Sequence, residues 1–214
     1  MLGKSETKRK EAKNPMAEEN KPDPQKEPDT HTQEVRYSQS SARVPEKVVS
    51  GVFSSGALLL NGPHEFILDF LQRLVQPHRL ASRVVMSPPS FASFINALDE
   101  NLSMYAGKFG PLPPMPPPPP GAVPLPIDEL YAQIKTNDDL LGGVYANAVM
   151  ISHNPAEFAF DFIATFYPRS VVVSRIYMSA AQATGFSHTL KKGYQQFCER
   201  LNPPQGPPKE NKPQ

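Results

Sequence analysis

Two pairs of carboxylates are the strongest candidates for chemistry in this chain, because they recur at the same spacing. Glu65 and Asp69 are repeated 92 residues later as Glu157 and Asp161. Two carboxyl groups about 5 to 9.5 Å apart perform the acid, base and nucleophile steps of glycoside hydrolysis. Residues four apart meet on one face of a helix, but on a strand they lie about 13 Å apart. The pairs can therefore act together only if they stand on helices.

An arginine follows each aspartate at the same interval, Arg83 after Asp69 and Arg175 after Asp161. On neighbouring antiparallel strands, an acid and a base placed in this way face each other. We therefore predict a structural ion pair in each copy, which would fix strand register more than it adds stability. The catalytic alternative requires Glu157, Asp161 and Arg175 to converge on a cleft open to solvent. We predict no catalytic residue.

Other kinds of site lack the residues that they need. The chain has five histidines, but none recurs at the same place in both copies and no two have the spacing of metal ligands. Its single cysteine, Cys198, excludes a thiolate cluster and an internal disulfide. No glycine-rich phosphate loop and no Gly-x-Ser-x-Gly elbow occurs. We predict neither a cofactor nor a metal.

The charge balance and the apolar pattern indicate which partners the protein binds and where in the cell we expect it. The net charge of +1 gives no field that would attract nucleic acid or anionic lipid. The first residues lack the apolar core of a signal peptide, and no stretch approaches the roughly 20 apolar residues of a membrane span. We therefore expect a soluble cytoplasmic protein that binds neither nucleic acid nor membranes.

The carboxylates belong to a longer repeat. The segment 63–70, Pro-His-Glu-Phe-Ile-Leu-Asp-Phe, returns as 155–162, Pro-Ala-Glu-Phe-Ala-Phe-Asp-Phe. At the same offset, Ser82–Ser87 matches Ser174–Ser179, and about 13 identities are spread over 51–108 and 143–200. One structural unit therefore occurs twice. Besides the repeated aspartates, the motif residues shared by both copies include Glu65, Phe66 and Phe70, and Glu157, Phe158 and Phe162.

The repeated motif fits two conformations. Phe66, Phe70 and Leu74 have helical spacing, whereas Phe66, Leu68 and Phe70 also alternate as in a half-buried strand. The second copy has three alternating phenylalanines, and the turn before the motif is short. We therefore predict strands.

The remaining elements follow from apolar runs and turn residues. In the first copy we predict a weak strand at Val44–Val49, strands at Gly51–Asn61 and Leu80–Met86, and a helix with Ser87 as its N-cap. In the second copy we predict a strand at Tyr131–Lys135, a turn at Asn137 and Asp138, strands at Val144–Ser152, Phe158–Phe166 and Val171–Met178, and a helix capped by Ser179. Gly185 and Gly193 would weaken this helix by about 1 kcal/mol each.

These elements predict an α+β fold of two tandem ββββα units. Each antiparallel sheet is followed by one amphipathic helix, and a pseudo-two-fold relates the units. The units span residues 35–109 and 128–201, with a polyproline linker over 110–127 that extends about 45 Å. Residues 1–34 and 202–214 are charged or proline-rich and are predicted to be disordered tails.

The order of these motifs resembles the domain-of-unknown-function family 3467 (DUF3467) of small bacterial proteins. The family unit opens with Tyr-Ala-Asn, present here as Tyr145-Ala146-Asn147, whereas the first copy has Phe53-Ser54-Ser55. The resemblance covers about two thirds of the chain and implies no assigned activity. More distantly, four antiparallel strands followed by a helix resemble the fold of the SecB export chaperone.

Without a catalytic constellation, the apolar strand surface is the main functional feature. Apolar residues occupy both faces of the predicted strands, so each sheet must be covered on two sides. One cover is the helix, and the other is the sister copy, a second copy of the chain or a client segment. We expect a non-enzymatic protein-binding module that holds a protein partner or polypeptide client in a chaperone-like way. The alternative is a structural subunit whose duplication replaces a homodimer and which assembles further.

Overall fold

The structure is a computed structural model that describes residues 42–117, 121, 125–166 and 168–202. The tail predicted over 1–34 lies outside the described residues, and so does the tail predicted over 202–214 except for Asn202. Residues 118–120 and 122–124 of the predicted linker also lie outside them. No described helix has the length and apolarity to cross a membrane.

Both copies are mixtures of strands and helices that end in one long helix, and the predicted α+β class with tandem ββββα units is confirmed. The first copy comprises α1 (Glu46–Val49), β1 (Val52–Ser54), β2 (Gly56–Asn61), β3 (Phe66–Gln72), β4 (His78–Met86) and α2 (Pro88–Phe109). The second comprises α3 (Ile127–Ala132), β5 (Ile134–Lys135), α4 (Asp138–Leu141), β6 (Val144–Tyr145), β7 (Ala148–His153), β8 (Glu157–Phe166), β9 (Arg169–Ser179) and α5 (Ala180–Leu201).

The repeated motif forms a strand in both copies, so the helical alternative is wrong. Strands β3 and β4 form an antiparallel hairpin in which Asp69 is opposite Arg83. Strands β8 and β9 form the equivalent hairpin, with Asp161 opposite Arg175. Alternation sends Phe66, Leu68 and Phe70 into the core and sends Asp69 to the outer face, which we define as the face turned away from that core.

The long strands predicted at Gly51–Asn61 and Val144–Ser152 are each broken in two, because the chain changes sheets at the break. Strand β1 pairs in parallel with β9 of the second copy, and β6 pairs in parallel with β4 of the first. The sheets consequently have the orders β1-β9-β8-β7 and β2-β3-β4-β5, with β6 also beside β4. Each copy therefore completes the sheet of the other.

The segments that lead into these exchanged strands are helical where strands were predicted. The strand predicted at Val44–Val49 is wrong, since Pro45 precedes the short helix α1. Tyr131 belongs to α3, and only Ile134 and Lys135 of that predicted strand are extended. The predicted turn at Asn137 is the start of α4. Tertiary packing on the sister sheet decides these segments, because Val48 and Ile134 are buried in small outer-face clusters.

The two sheets and the two long helices enclose one aromatic core. Three contacts in it join a residue to its own equivalent in the other copy. Phe70 meets Phe162 with ring centroids 5.5 Å apart, and Phe94 meets Phe186 at 6.1 Å. The hydroxyls of Ser82 and Ser174 lie 2.8 Å apart. A residue touches its own equivalent only beside a two-fold axis, so these pairs locate the pseudo-two-fold.

Each long helix packs on the edge strand of the other copy. Tyr105 of α2 donates to the carbonyl of Pro155 at 2.7 Å, and Asn61 of β2 donates to the carbonyl of Gly193 at 3.2 Å. A Cβ on Gly193 would lie 2.3 Å from Leu59 Cδ2, so this glycine permits a close approach in addition to lowering helix propensity.

The two serines predicted as N-caps occupy the N-cap positions of α2 and α5. Their hydroxyls do not bond the helix backbone, because Ser87 pairs with Ser90 at 2.9 Å and Ser179 donates to Gln182 at 3.0 Å. Neither serine side chain therefore caps a backbone N–H of its helix.

Candidate functional site

The two predicted ion pairs are both present on the outer faces, with the same bidentate geometry. Arg83 donates through Nε and Nη2 to the two carboxylate oxygens of Asp69, each at 2.7 Å. Arg175 donates to Asp161 through the same atoms at the same distances. These hydrogen bonds to a carboxylate raise the pKa of both guanidinium groups. The arginines therefore remain charged at every pH at which the protein is folded.

A third donor of each arginine reaches the other copy. Arg83 Nη1 donates to the carbonyl of Leu141 at 2.9 Å, at the end of α4. Arg175 Nη1 donates to the carbonyl of Val49 at 3.2 Å, at the end of α1. Each arginine thus hydrogen-bonds to the end of the short helix that precedes the exchanged strand of the other copy. We predicted only that each ion pair fixes the register of its own hairpin, and the structure adds a bond between the two copies.

Tyr131 hydrogen-bonds to the aspartate of the first ion pair, and no sequence motif indicates this contact. Its hydroxyl donates a short hydrogen bond to Asp69 Oδ2. Burial raises the pKa of Tyr131, and the hydrogen bond to Asp69 raises it further. Sequence reasoning missed this residue because it placed Tyr131 on a strand, and 62 residues separate it from its partner.

Two glycines explain how the exchanged strands approach the arginines. Gly51 and Gly143 have φ values of +61° and +66°, in the left-handed region that favours glycine. An added Cβ would lie 2.8 Å from the Cγ atoms of Arg175 and Arg83, respectively. Both backbone conformation and space therefore require glycine where the chain turns toward the sister sheet.

The Tyr-Ala-Asn segment forms the corner where β6 ends and β7 begins. Ala146 is fully buried, while Asn147 accepts from the Thr165 backbone N–H at 2.7 Å and donates to the Thr165 carbonyl at 3.1 Å. In the first copy Ser55 fills this role, since its hydroxyl accepts from the Arg73 N–H at 2.7 Å. The motif thus forms the corner at which the chain passes from one sheet to the other.

The repeated glutamates do not join the aspartates. Glu157 is the first residue of β8 and Asp161 the fifth, so strand geometry separates them by about 13 Å. Glu65 occupies the turn before β3, where its carbonyl accepts from the Gly62 N–H at 2.9 Å. Asp161 and Arg175 are paired beneath the segment that contains α1, not beneath a long helix. Among the described residues, no group of three His, Cys, Asp or Glu side chains has the arrangement of a metal site.

A cleft of about 250 Å³ lies on the pseudo-two-fold axis between the two crossing segments, and we call it the axial cleft. Its polar lining consists of Ser50 and of three pairs of equivalent residues from the two copies, which are Ser82 and Ser174, Arg83 and Arg175, and Lys47 and Asp139. The cleft therefore brings together both predicted arginines, although no sequence pattern indicated that they share a cavity.

A row of apolar side chains crosses the outer face of the first sheet, and we call it the apolar row. Leu60 is opposite Ile67, which is opposite Val85, which is opposite Tyr145. The first three are half-buried and Tyr145 is 43% exposed. The equivalent positions of the second sheet are more polar, and they hold Ser152, Ala159, Tyr177 and Phe53.

Comparison with known sequences identifies the same duplication. A family model described as protein of unknown function (DUF3467) matches the chain twice, over residues 9–113 and 119–202. No curated protein matches the chain.

Proposed function

The chain belongs to the DUF3467 family and carries two copies of its unit, and we propose that the pair forms a non-enzymatic protein-binding module. The apolar row is the observation that carries this proposal. Apolar side chains in register on four adjacent strands form a surface that a partner polypeptide would shield from water. We propose that the module holds an extended segment of a protein client there, as the resemblance to SecB suggests.

The chemistry of the surface defines the client. The charges of the chain nearly cancel, so the client is recognised by apolar contact and not by long-range electrostatic attraction. Burying one large apolar side chain is worth about 1.5 to 3 kcal/mol, and a client with two or three such side chains would be held reversibly. With a single cysteine the chain has no internal disulfide that would need an oxidising compartment. We propose that client binding occurs in the bacterial cytoplasm.

The test is suppression of aggregation of a chemically denatured reporter protein at stoichiometric ratios. The full chain should delay aggregation, and the double variant Val85→Thr and Tyr145→Ser should lose at least half of this effect. Phe53→Ser, at the position equivalent to Tyr145 on the more polar face, is the matched control and should retain it. Failure of the full chain to delay aggregation and to retain any polypeptide would refute the proposal.

A structural subunit is the second candidate, and the exchange of β1 and β6 favours it. Homodimers commonly exchange an element between two protomers, and here both protomers lie in one chain. We propose as the alternative that the duplication replaces a homodimer and that the protein assembles further through sheet edges. Light scattering should then show a molar mass that rises with concentration. A mass equal to one chain at every concentration would contradict this alternative.

A further inference from the structure

The outer edge of β2 carries backbone hydrogen-bonding groups that the protein does not use. In an antiparallel pair, residues that bond the neighbouring strand alternate with residues whose N–H and C=O groups point away from it. Gly62 donates to Glu65 at the turn between β2 and β3. Counted from that bond, the register makes Asn61, Leu59 and Ala57 the outward-pointing set. Their main-chain groups bond no other described residue, and β2 is the last strand of its sheet, so the edge can accept a further strand.

A groove runs along this edge, and we call it the edge groove. Successive side chains of a strand point to opposite faces, so a cavity that is lined by consecutive residues lies at an edge of the strand. β3 occupies one edge of β2. Along the other edge, cavities of about 160, 560 and 350 Å³ follow residues 56–57, 59–61 and 61–63. α5 forms the opposite wall of all three, and Met115 and Ile127 complete the lining.

The charged side chains that line the edge groove are basic. Lys192 and Arg200 belong to α5 and Arg73 follows β3, and all three are exposed. The two arginines bond only uncharged oxygens, and Lys192 has no partner among the described residues. No aspartate or glutamate is among the described lining residues, although the Glu65 carboxylate lies beside Gly62 at the turn. The groove therefore favours a partner that brings negative charge.

The equivalent edge of the second sheet, along β7, differs in packing and in charge. His153 stands where β2 has Asn61, and its ring centroid lies 5.7 Å from that of Tyr105. On the facing helix, α2 has Glu100 where α5 has Lys192. An acidic partner would therefore distinguish the two edges.

We propose that the edge groove binds an extended acidic segment of a partner protein, which adds a strand to the first sheet beside β2. Backbone hydrogen bonds to the three outward-pointing residues supply affinity, and alternate side chains supply specificity. One set of the segment's side chains faces α5, where carboxylates meet Lys192 and Arg200. The other set lies beside Leu60 on the outer face, where apolar side chains fit. A segment of about six residues matches the length of β2.

The edge groove is a second surface, which shares only Leu60 with the apolar row. The row recognises apolar side chains on the face of the sheet, whereas the groove recognises an extended backbone and negative charge at the edge. The double variant Val85→Thr and Tyr145→Ser should therefore bind an acidic segment as the parent protein does. The two proposals consequently fail separately.

The probe is a fluorescent peptide of six residues in which valine and glutamate alternate, and fluorescence anisotropy follows its binding to the full chain. We expect a dissociation constant on the order of 100 µM or tighter, and binding at least about tenfold weaker when lysine replaces glutamate. Methylated backbone amides cannot donate hydrogen bonds. Methylation of one alternate set of amides should therefore weaken binding at least about tenfold, and methylation of the other set should weaken it much less.

Hydrogen exchange locates the added strand. With the peptide bound, the N–H groups of Ala57, Leu59 and Asn61 should exchange at least about tenfold more slowly, because each then lies within a ladder. The N–H groups of Leu58 and Leu60 already face β3 and should change little.

Two variants of α5 test the charge of the groove, since both side chains are exposed. Lys192→Gln and Arg200→Gln should each weaken peptide binding about threefold, as expected for exposed charges. Lys108→Gln is the matched control, because Lys108 is the residue of α2 equivalent to Arg200, and it should change nothing.

Three results would overturn the proposal: no binding tighter than about 1 mM, equal binding of both methylated peptides, or binding that leaves the three N–H groups unprotected. A fourth result would assign the edge to a second copy of the chain instead. In that case the same N–H groups would become protected without peptide, as the molar mass rises with protein concentration.

Discussion

The two copies hold the same ion pair in different surroundings. Asp69 is fully buried and accepts a further hydrogen bond from Tyr131, whereas the Asp161 side chain is 11% exposed. A buried carboxylate needs more partners than one that reaches water, and α3, the first helix of the second copy, supplies the additional partner. The comparison shows that duplication preserved the bonds between the copies while the entry segments diverged.

The largest difference between the copies should appear when the arginines are removed. Arg83→Ala leaves Asp69 charged, buried and without its main partner, and should lower the free energy of unfolding by about 3 to 5 kcal/mol. Arg175→Ala leaves an aspartate that water can reach, and should cost about 2 kcal/mol. Urea unfolding at pH 7 measures both. Equal losses would show that the surroundings of the two pairs do not matter.

The sequence was sufficient to predict these hairpins. Asp69 and Arg83 are 14 residues apart, and alternation of apolar residues sets the register of two strands joined by a short turn. The exchange of β1 and β6 could not be predicted in the same way. These strands have three and two residues, and their apolar pattern fits either sheet, because both sheets bury equivalent residues against the same core.

The axial cleft shows the same limit. Arg83 and Arg175 were correctly assigned to separate ion pairs, but their joint position depends on the pseudo-two-fold, which only long-range packing determines. Tyr131 was missed for a related reason, because the packing of α3 overrides the local tendency of its residues. Local pairs were therefore predictable, and contacts between the copies were not.

The second prediction concerns how each long helix meets the strand of the other copy. At equivalent positions α5 has Gly193 in close contact with β2, and α2 has Asn101, whose side chain bonds His153 at 3.2 Å. Gly193→Ala should lower the free energy of unfolding by about 2 kcal/mol through overpacking against Leu59. The control Gly185→Ala meets no atom within 4 Å and should stabilise by up to about 1 kcal/mol. Thermal unfolding would contradict this prediction if both variants were stabilised.

The third prediction isolates Tyr131. Tyr131→Phe removes one hydrogen bond to a charged group and should cost about 1.5 kcal/mol at pH 7. In the folded state the pKa of Tyr131 lies above the unfolded value of 10.0, so its contribution is complete below pH 10 and is lost as pH rises toward the folded-state pKa. The free energy of unfolding should therefore fall above pH 10 more steeply in the parent protein than in Tyr131→Phe. Tyr145→Phe, which removes a hydroxyl from an exposed ring, is the control, and parallel pH profiles for the parent protein and Tyr131→Phe would refute the prediction.

The smallest effect is expected on the axis, where the copies are equal. Ser82→Ala and Ser174→Ala each leave the other hydroxyl buried and without its partner, and each should cost about 1 kcal/mol. The double variant removes both groups and should be no less stable than either single variant, because no hydroxyl is left unpaired. A double-mutant cycle measures this coupling directly. Two equal and strongly coupled losses on the axis, beside two unequal losses at the arginines, would mean that the copies diverged only away from the axis. Additive losses would mean that the two hydroxyls do not act as a pair, and unequal losses would mean that the axis is as asymmetric as the ion pairs.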